Sequence, residues 1–419
     1  MHTPSMNPVG ASSLGQVLPA SPPQEVLRLT RGVRIPDELK LARFERNPEL
    51  GPRILFLSGG SALRAVSQRL IHYTHNSIHL ITPFDSGGSS AELRKAFDMP
   101  AIGDVRNRLM ALADRTLQGN PQVFRLFAHR LPRTAAAAVL REELAALAGG
   151  SHHLVNHVPE PLRRIICHQI LRLAERLPVD FDLRGASIGN LVLAAGYLDH
   201  DRHLEPVIYV YSRLVQVRGI VRATTDACLH LAADLEDGRR IVGQHLFGDV
   251  LGADDAPRVT RFELADTEGD ARTCEITPEV AGLIAKADLI CYPMGSFFTS
   301  ILANLLPAGI AEAIALNPCP KVFIPSTGSD PESNRLSADD QVAWLLRLLE
   351  VGGSRTRVAP EDVLNLVVVD RRPDSYPAGR AIEALRDRGL QVIEYPLVTK
   401  TGIPRIYEGR LLPLILSLC

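Results

Sequence analysis

The chain has 419 residues, a formal net charge of −1 at pH 7 and 46% hydrophobic residues. This size and composition predict a globular protein with a sizeable core, in one large domain or two. The near-neutral charge argues against nucleic acid and against an anionic membrane surface as partners. No apolar run approaches the ~18–20 residues of a spanning helix, so we expect no membrane partner.

The six cysteines are scattered without a CxxC pair, which indicates neither a disulfide framework nor a thiolate zinc site. A reducing cytoplasm is therefore the expected location. The N-terminus is rich in Ser and Pro and lacks the basic and apolar regions of a signal peptide. We predict a partly disordered extension over residues 1–50 and a single α/β domain over residues 51–419.

Alternating strands and helices begin near position 53. The stretch "RILFLSGG" predicts a short buried strand ending in two glycines, and a helix is predicted from Ser61 onward. "SIHLITPF" predicts a second strand and "GDVRNRLMALADRTL" a second helix. This order is typical of a parallel sheet covered on both faces.

Residues 121–180 contain strongly helical stretches and no good strand, which predicts a helical insertion. Downstream, Asp237-Gly238 is a favoured hairpin turn between two β segments. Further strands are predicted at "KADLICYPMGS", "PKVFIPSTGS", "LNLVVVDRRP" and "LQVIEYPL". The predicted fold class is α/β: a three-layer, Rossmann-like parallel sheet with a helical insertion and a β-hairpin.

Small-residue loops follow several predicted strands, as "SGGS", "DSGGSS", "YPMGS" and "PSTGS". Such loops offer a phosphate free N–H groups, hydroxyls and the positive end of a following helix, at the sheet edge where ligands bind. One such loop is as often ordinary turn chemistry, but four together predict a phosphorylated ligand held by several loops. The absence of GxxxxGK[ST] and GxGxxG argues against a P-loop NTPase and a standard Rossmann dehydrogenase.

The order of the motifs resembles a known family. The segments "LSGG", "DSGGSSAELRKAF", "GDVRNRLMAL", "RGASIGNLVLAA", "LHLAADLEDG", "MGSFFTSILANLLPAGIAEAI" and "PKVFIPSTG" resemble the 2-phospho-L-lactate transferase (CofD) family over about residues 53–328. They are most similar to the branch related to the bacterial gluconeogenesis factor YvcK. Their divergent features resemble the CofD-related protein of the so-called GAK gene system.

The resemblance implies two alternative functions. Transferase members use magnesium to move a phospholactyl or related phosphoacyl group from a guanosine-diphosphate-activated donor to a deazaflavin alcohol, releasing GMP. YvcK-like members are regulators that bind UDP-sugars. The expected partners are therefore a nucleotide diphosphate or nucleotide sugar and, for a transferase, an acceptor that the sequence does not identify.

The resemblance also implies which residues contact the ligand. In the family, loops at the strand ends surround the nucleotide. The motif positions that match are Gly59, Gly60, Ser61, Gly189, Asn190, Gly295, Ser296 and Thr299. Further phosphate-binding candidates in the small-residue loops and the GDVRN motif are Gly87, Gly88, Ser89, Ser90, Asp104, Arg106, Asn107, Ser326 and Thr327.

Asp85 is the candidate catalytic and metal-binding residue. The family typically has two adjacent acids in this loop, associated with metal and acceptor, whereas here the second is Ser86. Magnesium is often held by one or two carboxylates plus phosphates, so Asp85 with Ser86 and water is a possible Mg²⁺ site. Asp85 would orient the metal or the acceptor hydroxyl while the nearby loop holds the phosphate.

Several charged residues have a structural alternative. Asp104 is compatible with a helix N-cap, and Arg106 with a surface position, although the motif match favours ligand contact. Arg94 is expected to be a solvated helix residue. His153 and His157 have the i, i+4 spacing of zinc ligands, but the HExxH acid is missing, so a solvated linker is expected.

Other departures from the family suggest a different ligand or acceptor. Ala186 stands where the family often has a histidine, and Ala62 stands where the family has a later loop glycine. Tyr292 either replaces a typical glycine or marks a shifted register. Loss of the histidine and of the second acid favours the regulator, whereas Asp85 and the GDVRN motif favour the transferase. A homodimer is expected from the family and from the frequency of twofold oligomers. The C-terminal "LLPLILSLC" is expected to be a core or dimer-contact helix.

Overall fold

The computed structural model describes residues 32–116, 118–253, 255–328, 330–351, 358–399 and 404–419. Residues from Arg34 to Cys419 form one compact unit. Residues 1–31 of the predicted N-terminal extension lie outside the described residues. The first described helix follows Asp37, whose carboxylate accepts the Lys40 N–H at 3.1 Å and caps the helix.

The strands of the described residues assemble into two sheets. In chain order they are β1 (Ile54–Ser58), β2 (Ile78–Ile81), β3 (Ile220–Ala223), β4 (His230–Leu235), β5 (Arg240–Val242), β6 (Val259–Ala265), β7 (Ala271–Arg272), β8 (Leu289–Tyr292), β9 (Lys321–Phe323), β10 (Leu366–Asp370) and β11 (Gln391–Tyr395). Seven of these form a wholly parallel sheet with the order β11-β10-β9-β8-β1-β2-β3. The sequence had not indicated β3, which is only four residues long.

The helices of the described residues cover this sheet and fill the crossover connections. They are α1 (Glu38–Arg46), α2 (Arg64–Leu70), α3 (Gly88–Phe97), α4 (Gly103–Ala111), α5 (Pro121–Ala128), α6 (Ala137–Ala148), α7 (His153–Asn156), α8 (Leu162–Ala174), α9 (Ile188–Asp199), α10 (Leu204–Leu214), α11 (His245–Leu251), α12 (Pro278–Ala285), α13 (Ile310–Leu316), α14 (Ala338–Val351), α15 (Pro360–Val363), α16 (Ile382–Asp387) and α17 (Glu408–Leu418). Short 3₁₀ helices span Pro48–Leu50, Leu302–Leu305 and Pro373–Ser375, and a π-helical turn spans Phe297–Ile301.

Alternate residues of β1 enter different cores. Leu55 and Leu57 belong to one hydrophobic cluster, whereas Ile54 and Phe56 belong to the cluster that contains α17 side chains. Every residue of β1 is buried, as expected for a parallel strand with helices on both faces. The predicted three-layer α/β fold is confirmed.

The strand order reverses between β1 and β8. The chain proceeds from β1 to β2 and β3 in one direction, and from β8 through β9 and β10 to β11 in the other. Loops that leave adjacent strands in opposite directions open a crevice at the carboxyl edge of the sheet, and ligands of α/β proteins bind there. The fold therefore directs attention to the loops after β1, β2 and β8.

The connection from β2 to β3 contains eight helices, α3 to α10, among the described residues. Within it, α5 to α8 occupy the stretch for which helices were predicted. Leu126 of α5, Leu144 of α6 and Ile170 of α8 share a hydrophobic cluster with Leu191 of α9. The helical stretch therefore packs against α9 through a common core.

The smaller sheet is antiparallel, with the order β5-β4-β6-β7. The predicted hairpin corresponds to β4 and β5, and Gly238 in its turn has a φ of 85°, which favours glycine. The second β segment ends earlier than the pattern suggested, because His245 already begins α11.

The apolar C-terminus is the buried helix α17, in which Leu411, Leu414 and Ile415 belong to the core on one face of the large sheet. Within the described part of the chain, none of the helices has both the length and the apolar content needed to cross a membrane.

Candidate functional site

The crevice at the carboxyl ends of β1 and β2 contains a polar cavity of about 630 Å³. The starts of α3, α4 and α9 contribute to its wall, together with segments near residues 130 and 185. The sequence-predicted residues that line it are Asp85, Gly87, Gly88, Ser89, Ser90, Arg106, Asn107 and Asn190. Three motifs that are distant in sequence therefore meet at one cavity.

A smaller cavity of about 260 Å³ lies beside the loop after β1. It shares Arg106, Asn107 and Arg130 with the larger cavity, and Gly60 and Ser61 add to its lining. The glycine loops after β1 and β2 thus border neighbouring parts of the same polar region.

Three arginines that were not predicted as site residues add positive charge to the wall. Arg130 and Arg133 follow α5, and Arg184 precedes α9. Arg184 forms an ion pair with Asp182 at 2.8 Å. Among the described residues, no carboxylate lies within ion-pair distance of Arg130 or Arg133. Arg130 and Arg133 lie in a segment without a motif, so the sequence carried no signal for them, whereas Arg184 begins the motif "RGASIGNLVLAA".

Arg106 is the most deeply buried cation of the cavity wall, with only 7% of its surface exposed. Its Nε donates to Asn190 Oδ1 at 3.2 Å, and Asn190 Nδ2 donates to Ser89 Oγ at 3.0 Å. Desolvation lowers its pKa from the usual value. Within the described residues, Arg106 has no ion-pair partner, and its two Nη atoms have no hydrogen-bond partner. The surface position considered for Arg106 is therefore wrong.

Asp104 lies beneath the loop after β1. The N–H of Gly60 and the side-chain amide of Asn107 lie close enough to its carboxylate to oppose the rise in its pKa. A Cβ at Gly60 would lie 2.1 Å from Asp104 Oδ1, so this close approach requires glycine. Burial, and secondarily the negative charge of Asp85, raise the pKa of Asp104 to about 6, although Arg108 opposes the shift. Two mutually repelling carboxylates therefore lie near the cavity floor.

Arg108 supports this floor and was missed by the sequence analysis. It is fully buried, and its guanidinium donates to the carbonyl oxygen of Gly59 at 2.8 Å, to Ser58 Oγ at 3.3 Å and to Ser67 Oγ. The i, i+4 spacing of Asp104 and Arg108 was the available signal. Arg108 holds the loop after β1 against α4.

Two structural alternatives for charged residues are wrong. The N-cap residue of α4 is Ile102, so Asp104 lies within the first turn of the helix. Arg94, expected to be solvated, is only 7% exposed. Its Nη1 donates to the carbonyl oxygens of Phe84 and Asp85 at 3.2 and 3.1 Å, which fixes the backbone of the loop after β2.

Asp85 faces the cavity while its neighbour Ser86 bonds elsewhere. Asp85 Oδ1 accepts the N–H of Gly87 at 2.9 Å, and desolvation raises the pKa of this carboxyl. Ser86 Oγ lies 2.8 Å from His245 Nδ1 and accepts the His245 N–H at 3.1 Å. The hydroxyl of Ser86 is thus engaged with α11, and the sequence analysis missed His245 because it lies far along the chain.

The loops after β8 and β9 bond to each other. The N–H of Gly295 donates to Ser326 Oγ at 2.9 Å, and Ser326 Oγ donates to the carbonyl oxygen of Gly295 at 2.8 Å. Thr327 Oγ1 donates to the carbonyl oxygen of Pro404 at 3.2 Å. Ser296 precedes the π-helical turn. None of these predicted residues lines the two cavities described above.

Thr299 is also engaged within the protein. Its N–H and its Oγ1 donate to the carboxylate of Glu332 at 2.9 and 2.6 Å. The neighbouring Asp330 accepts the N–H of Phe297 at 3.2 Å. Burial raises the pKa of Glu332 to about 7. Both carboxylates therefore satisfy backbone N–H groups at the start of the π-helical turn.

Two of the predicted glycines permit close packing. A Cβ at Gly59 would lie 2.2 Å from Ser300 Oγ, and one at Gly189 would lie 2.5 Å from Tyr211 Oη and 2.8 Å from the carbonyl oxygen of Phe127. Gly59 thus brings the loop after β1 against the segment after β8. Gly189 lets α9 approach α5 and α10 behind the cavity.

Two of the departures from the family pattern, Ala186 and Tyr292, are buried. Ala186 is 3% exposed and belongs to the core of the helical region, so it contributes no polar group to the cavity. Tyr292 is fully buried, and its hydroxyl donates to the carbonyl oxygen of Val363 at 2.9 Å. The tyrosine therefore fills the core on the side of α15.

Comparison with solved structures supports the same architecture. A crystal structure of a UPF0052-family protein from Bacillus halodurans superposes with a TM-score of 0.63 and 23% sequence identity, covering 86% of this chain and 97% of that protein. A likeness at this identity establishes the shared fold.

Curated relatives carry the name gluconeogenesis factor. The Bacillus subtilis protein of this name is 29% identical over 83% of this chain and 92% of its own length. A putative gluconeogenesis factor from Nostoc is 28% identical over 67% of this chain, and the match spans about half of that longer relative, 48%.

The family model for 2-phospho-L-lactate transferase CofD matches residues 54–398, which include both sheets, the cavity and the loops after β8 and β9. The match covers most of the chain and agrees with the gluconeogenesis-factor relatives. The chain belongs to the 2-phospho-L-lactate transferase CofD family.

Proposed function

We propose that the protein binds a nucleotide diphosphate or a nucleotide-diphosphate sugar, with the phosphates in the cavity beside Arg106. The observation that carries this proposal is the buried Arg106 guanidinium, whose Nε donates to Asn190 and whose Nη atoms have no hydrogen-bond partner among the residues that the structure describes. A buried cation is costly unless paired, and a phosphate matches the two Nη donors of an arginine.

The remaining cavity wall suits a multiply charged ligand. Arg130 and Arg133 add positive charge to the wall, and α3 begins at Gly88, so its first N–H groups lie beside Ser89. A helix N-terminus favours phosphate binding. The larger cavity, about 630 Å³, falls within the range of roughly 300–1,000 Å³ for small-ligand sites.

The carboxylates at the floor fit a magnesium ion. Asp85 and Asp104 provide hard oxygen ligands near the same cavity, and the charge of Asp85 contributes to the raised pKa of Asp104. A bound cation relieves such repulsion, and Mg²⁺ prefers carboxylate, water and phosphate oxygens. Asp85 would hold the ion with Asp104 beside it, and the ion would neutralise phosphate charge.

Catalysis on this site is a phosphoacyl transfer. The acceptor hydroxyl oxygen forms a bond to the phosphorus of the phosphoacyl group, and the bond from that phosphorus to the nucleoside monophosphate oxygen breaks. Asp85 would orient the ion or the acceptor hydroxyl for in-line attack. Arg106 and the N–H groups near Gly88 hold the charge that develops on the phosphate oxygens.

A non-catalytic regulator that binds a UDP-sugar is the second candidate. The Ser86 hydroxyl is hydrogen-bonded to His245, and the side chain of Ala186 has no proton to donate. The relatives are named gluconeogenesis factor, a name that specifies no reaction. Both observations favour binding without turnover.

Ligand-dependent unfolding and single-turnover measurements separate the two candidates. GDP, GTP, UDP, UDP-sugars, NAD and ATP are each tested for a Tm shift with and without Mg²⁺. A ligand at about 100 times its Kd adds ~2.7 kcal/mol to stability. A labelled nucleotide-diphosphate donor is then incubated with an excess of wild-type or Asp85→Asn protein, and its cleavage in a single turnover is measured.

Magnesium-dependent donor cleavage by the wild type and not by Asp85→Asn supports the transferase. Tight binding of a UDP-sugar without cleavage or magnesium dependence supports the regulator. Failure of every nucleotide to raise Tm contradicts the proposed ligand class.

A further inference from the structure

Two histidines next to helix ends and a glutamate in the middle of α6 meet outside the cavity. His129 follows α5, Glu143 lies in α6, and His152 is the N-cap residue of α7. His129 Nε2 is 2.9 Å and His152 Nε2 is 3.7 Å from Glu143 Oε1. The three ligand atoms all lie within 4.8 Å of one another.

The histidine pair singled out by sequence spacing is not this cluster. His157 Nδ1 lies 2.6 Å from the carbonyl oxygen of His153 in the short helix α7. The missing acid is supplied instead by Glu143, and the second imidazole by His129. The expectation of a simple polar linker is therefore incomplete, because His152 from that segment joins a polar cluster.

We propose that His129, Glu143 and His152 form a binding site for a divalent transition metal of the zinc class. Two imidazoles and one carboxylate are a ligand set that Zn²⁺ uses in tetrahedral sites with one open position. The three side chains are 27%, 19% and 12% exposed, which provides an entry path and room for a water ligand.

The spacing requires only small side-chain adjustments. Ligand atoms bound to zinc at about 2.0–2.2 Å are necessarily within ~4 Å of one another, close to the separations in the cluster. His152 Nδ1 accepts the Leu154 N–H at 3.3 Å. Coordination through Nε2 places the imidazole proton on Nδ1, so metal binding replaces this long hydrogen bond with a coordinate bond.

The site would connect the helical region to the cavity wall. The carbonyl oxygen of His129 accepts the Ile188 N–H at 3.0 Å, and the Leu131 N–H donates to the carbonyl oxygen of Ala186 at 2.9 Å. Arg130 lies between these two contacts. A metal bound to His129 therefore stabilises the segment that presents Arg130, whichever ligand the cavity binds.

Zinc binding to tag-free, EDTA-treated full-length protein tests the proposal. Calorimetry with Zn²⁺ measures stoichiometry and Kd, and the visible spectrum with Co²⁺ reports tetrahedral coordination by nitrogen and oxygen. The variants are Glu143→Gln, which preserves side-chain volume, and His152→Ala. His157→Ala is the matched control, because it removes an exposed histidine from the same segment outside the cluster.

We expect one Zn²⁺ per chain, a higher Tm with Zn²⁺, and a tetrahedral Co²⁺ spectrum. Loss of one of these ligands should weaken binding by more than the ~10-fold typical of losing an outer-shell partner, while His157→Ala binds as the wild type does. The absence of stoichiometric binding to the wild type overturns the proposal. Equal weakening in all three variants, or unchanged affinity in Glu143→Gln, also overturns it.

Discussion

The loops after β1 and β2 differ from those after β8 and β9 in how their polar groups are used. Both pairs follow buried parallel strands and contain glycine with serine or threonine. Residues of the loops after β1 and β2 line the two cavities beside Arg106 and Asn107. After β8, Ser326 bonds to Gly295, and Thr299 bonds to Glu332.

This difference shows that a small-residue loop at a strand end is insufficient to define a phosphate site. The N–H groups and hydroxyls must also lack partners inside the protein, because a hydrogen bond already made must be broken before a ligand can use the group. By this criterion the proposed ligand would contact the loops after β1 and β2, and the loops after β8 and β9 would brace the crevice.

The largest effect is expected on removing the buried cation from the cavity. Arg106→Met keeps the apolar bulk and removes the charge that we assign to the phosphates. Loss of a buried, charged hydrogen-bond partner costs about 2–5 kcal/mol of binding free energy. The Kd of the nucleotide that binds the wild type most tightly should therefore rise at least about 30-fold. Calorimetry measures this change directly.

Arg184→Met is the matched control, since this arginine lines the same cavity but is 61% exposed and paired with Asp182. Its Kd should change less than about threefold, the effect of an exposed ion pair. An equal loss of nucleotide affinity in both variants would show that binding depends only on the total charge of the cavity.

A substitution in the π-helical turn after β8 is expected to lower the stability of the protein. Thr299→Val is nearly isosteric and removes the hydroxyl that donates to Glu332 at 2.6 Å. Loss of a hydrogen bond to a charged or partly charged group costs about 1.5–3 kcal/mol, so denaturant unfolding should show this decrease. Nucleotide Kd should stay the same, and a tenfold rise would place Thr299 at the ligand.

The pH dependence of stability provides a third test. Glu332 has a pKa of about 7 in the folded protein against a usual 4.5, so the native state binds its proton more tightly than the unfolded state. Its contribution to stability is therefore fully present below pH 4.5 and is lost as the pH rises through about 7.

Between about pH 5.5 and 8, the wild type should lose about 2 kcal/mol relative to Glu332→Gln, which does not titrate. Comparing the two proteins cancels the contributions of other titrating groups, such as the buried His79. Parallel pH profiles would show that Glu332 is ionised in the folded protein throughout this range.

The sequence identified the large sheet because its strands are continuous apolar runs, whose burial on both faces leaves a strong local pattern. The four-residue strand β3 lacked such a run. The π-helical turn after β8 also lacked a signal, because Glu332 and Asp330 satisfy its N–H groups from a later segment.

Within the site, motifs predicted the cavity residues whose roles depend on local backbone, such as Gly88 and Ser89. They missed Arg130, Arg133 and His245, which reach the site only through tertiary folding. The motifs also did not predict that the Ser326 hydroxyl bonds to the backbone of Gly295. A sequence does not show whether a hydroxyl has a hydrogen-bond partner in the fold.

The smallest effect is expected at Ser326. Ser326→Ala removes one hydroxyl that both accepts the N–H and donates to the carbonyl oxygen of Gly295. The loop is only partly buried, so water can replace part of these contacts, and the cost should be about 0.5–1.5 kcal/mol. Unfolding should show this small loss while nucleotide Kd changes less than twofold. If Kd instead rises more than tenfold with stability intact, Ser326 contacts the ligand, and the difference between the two pairs of loops disappears in the bound state.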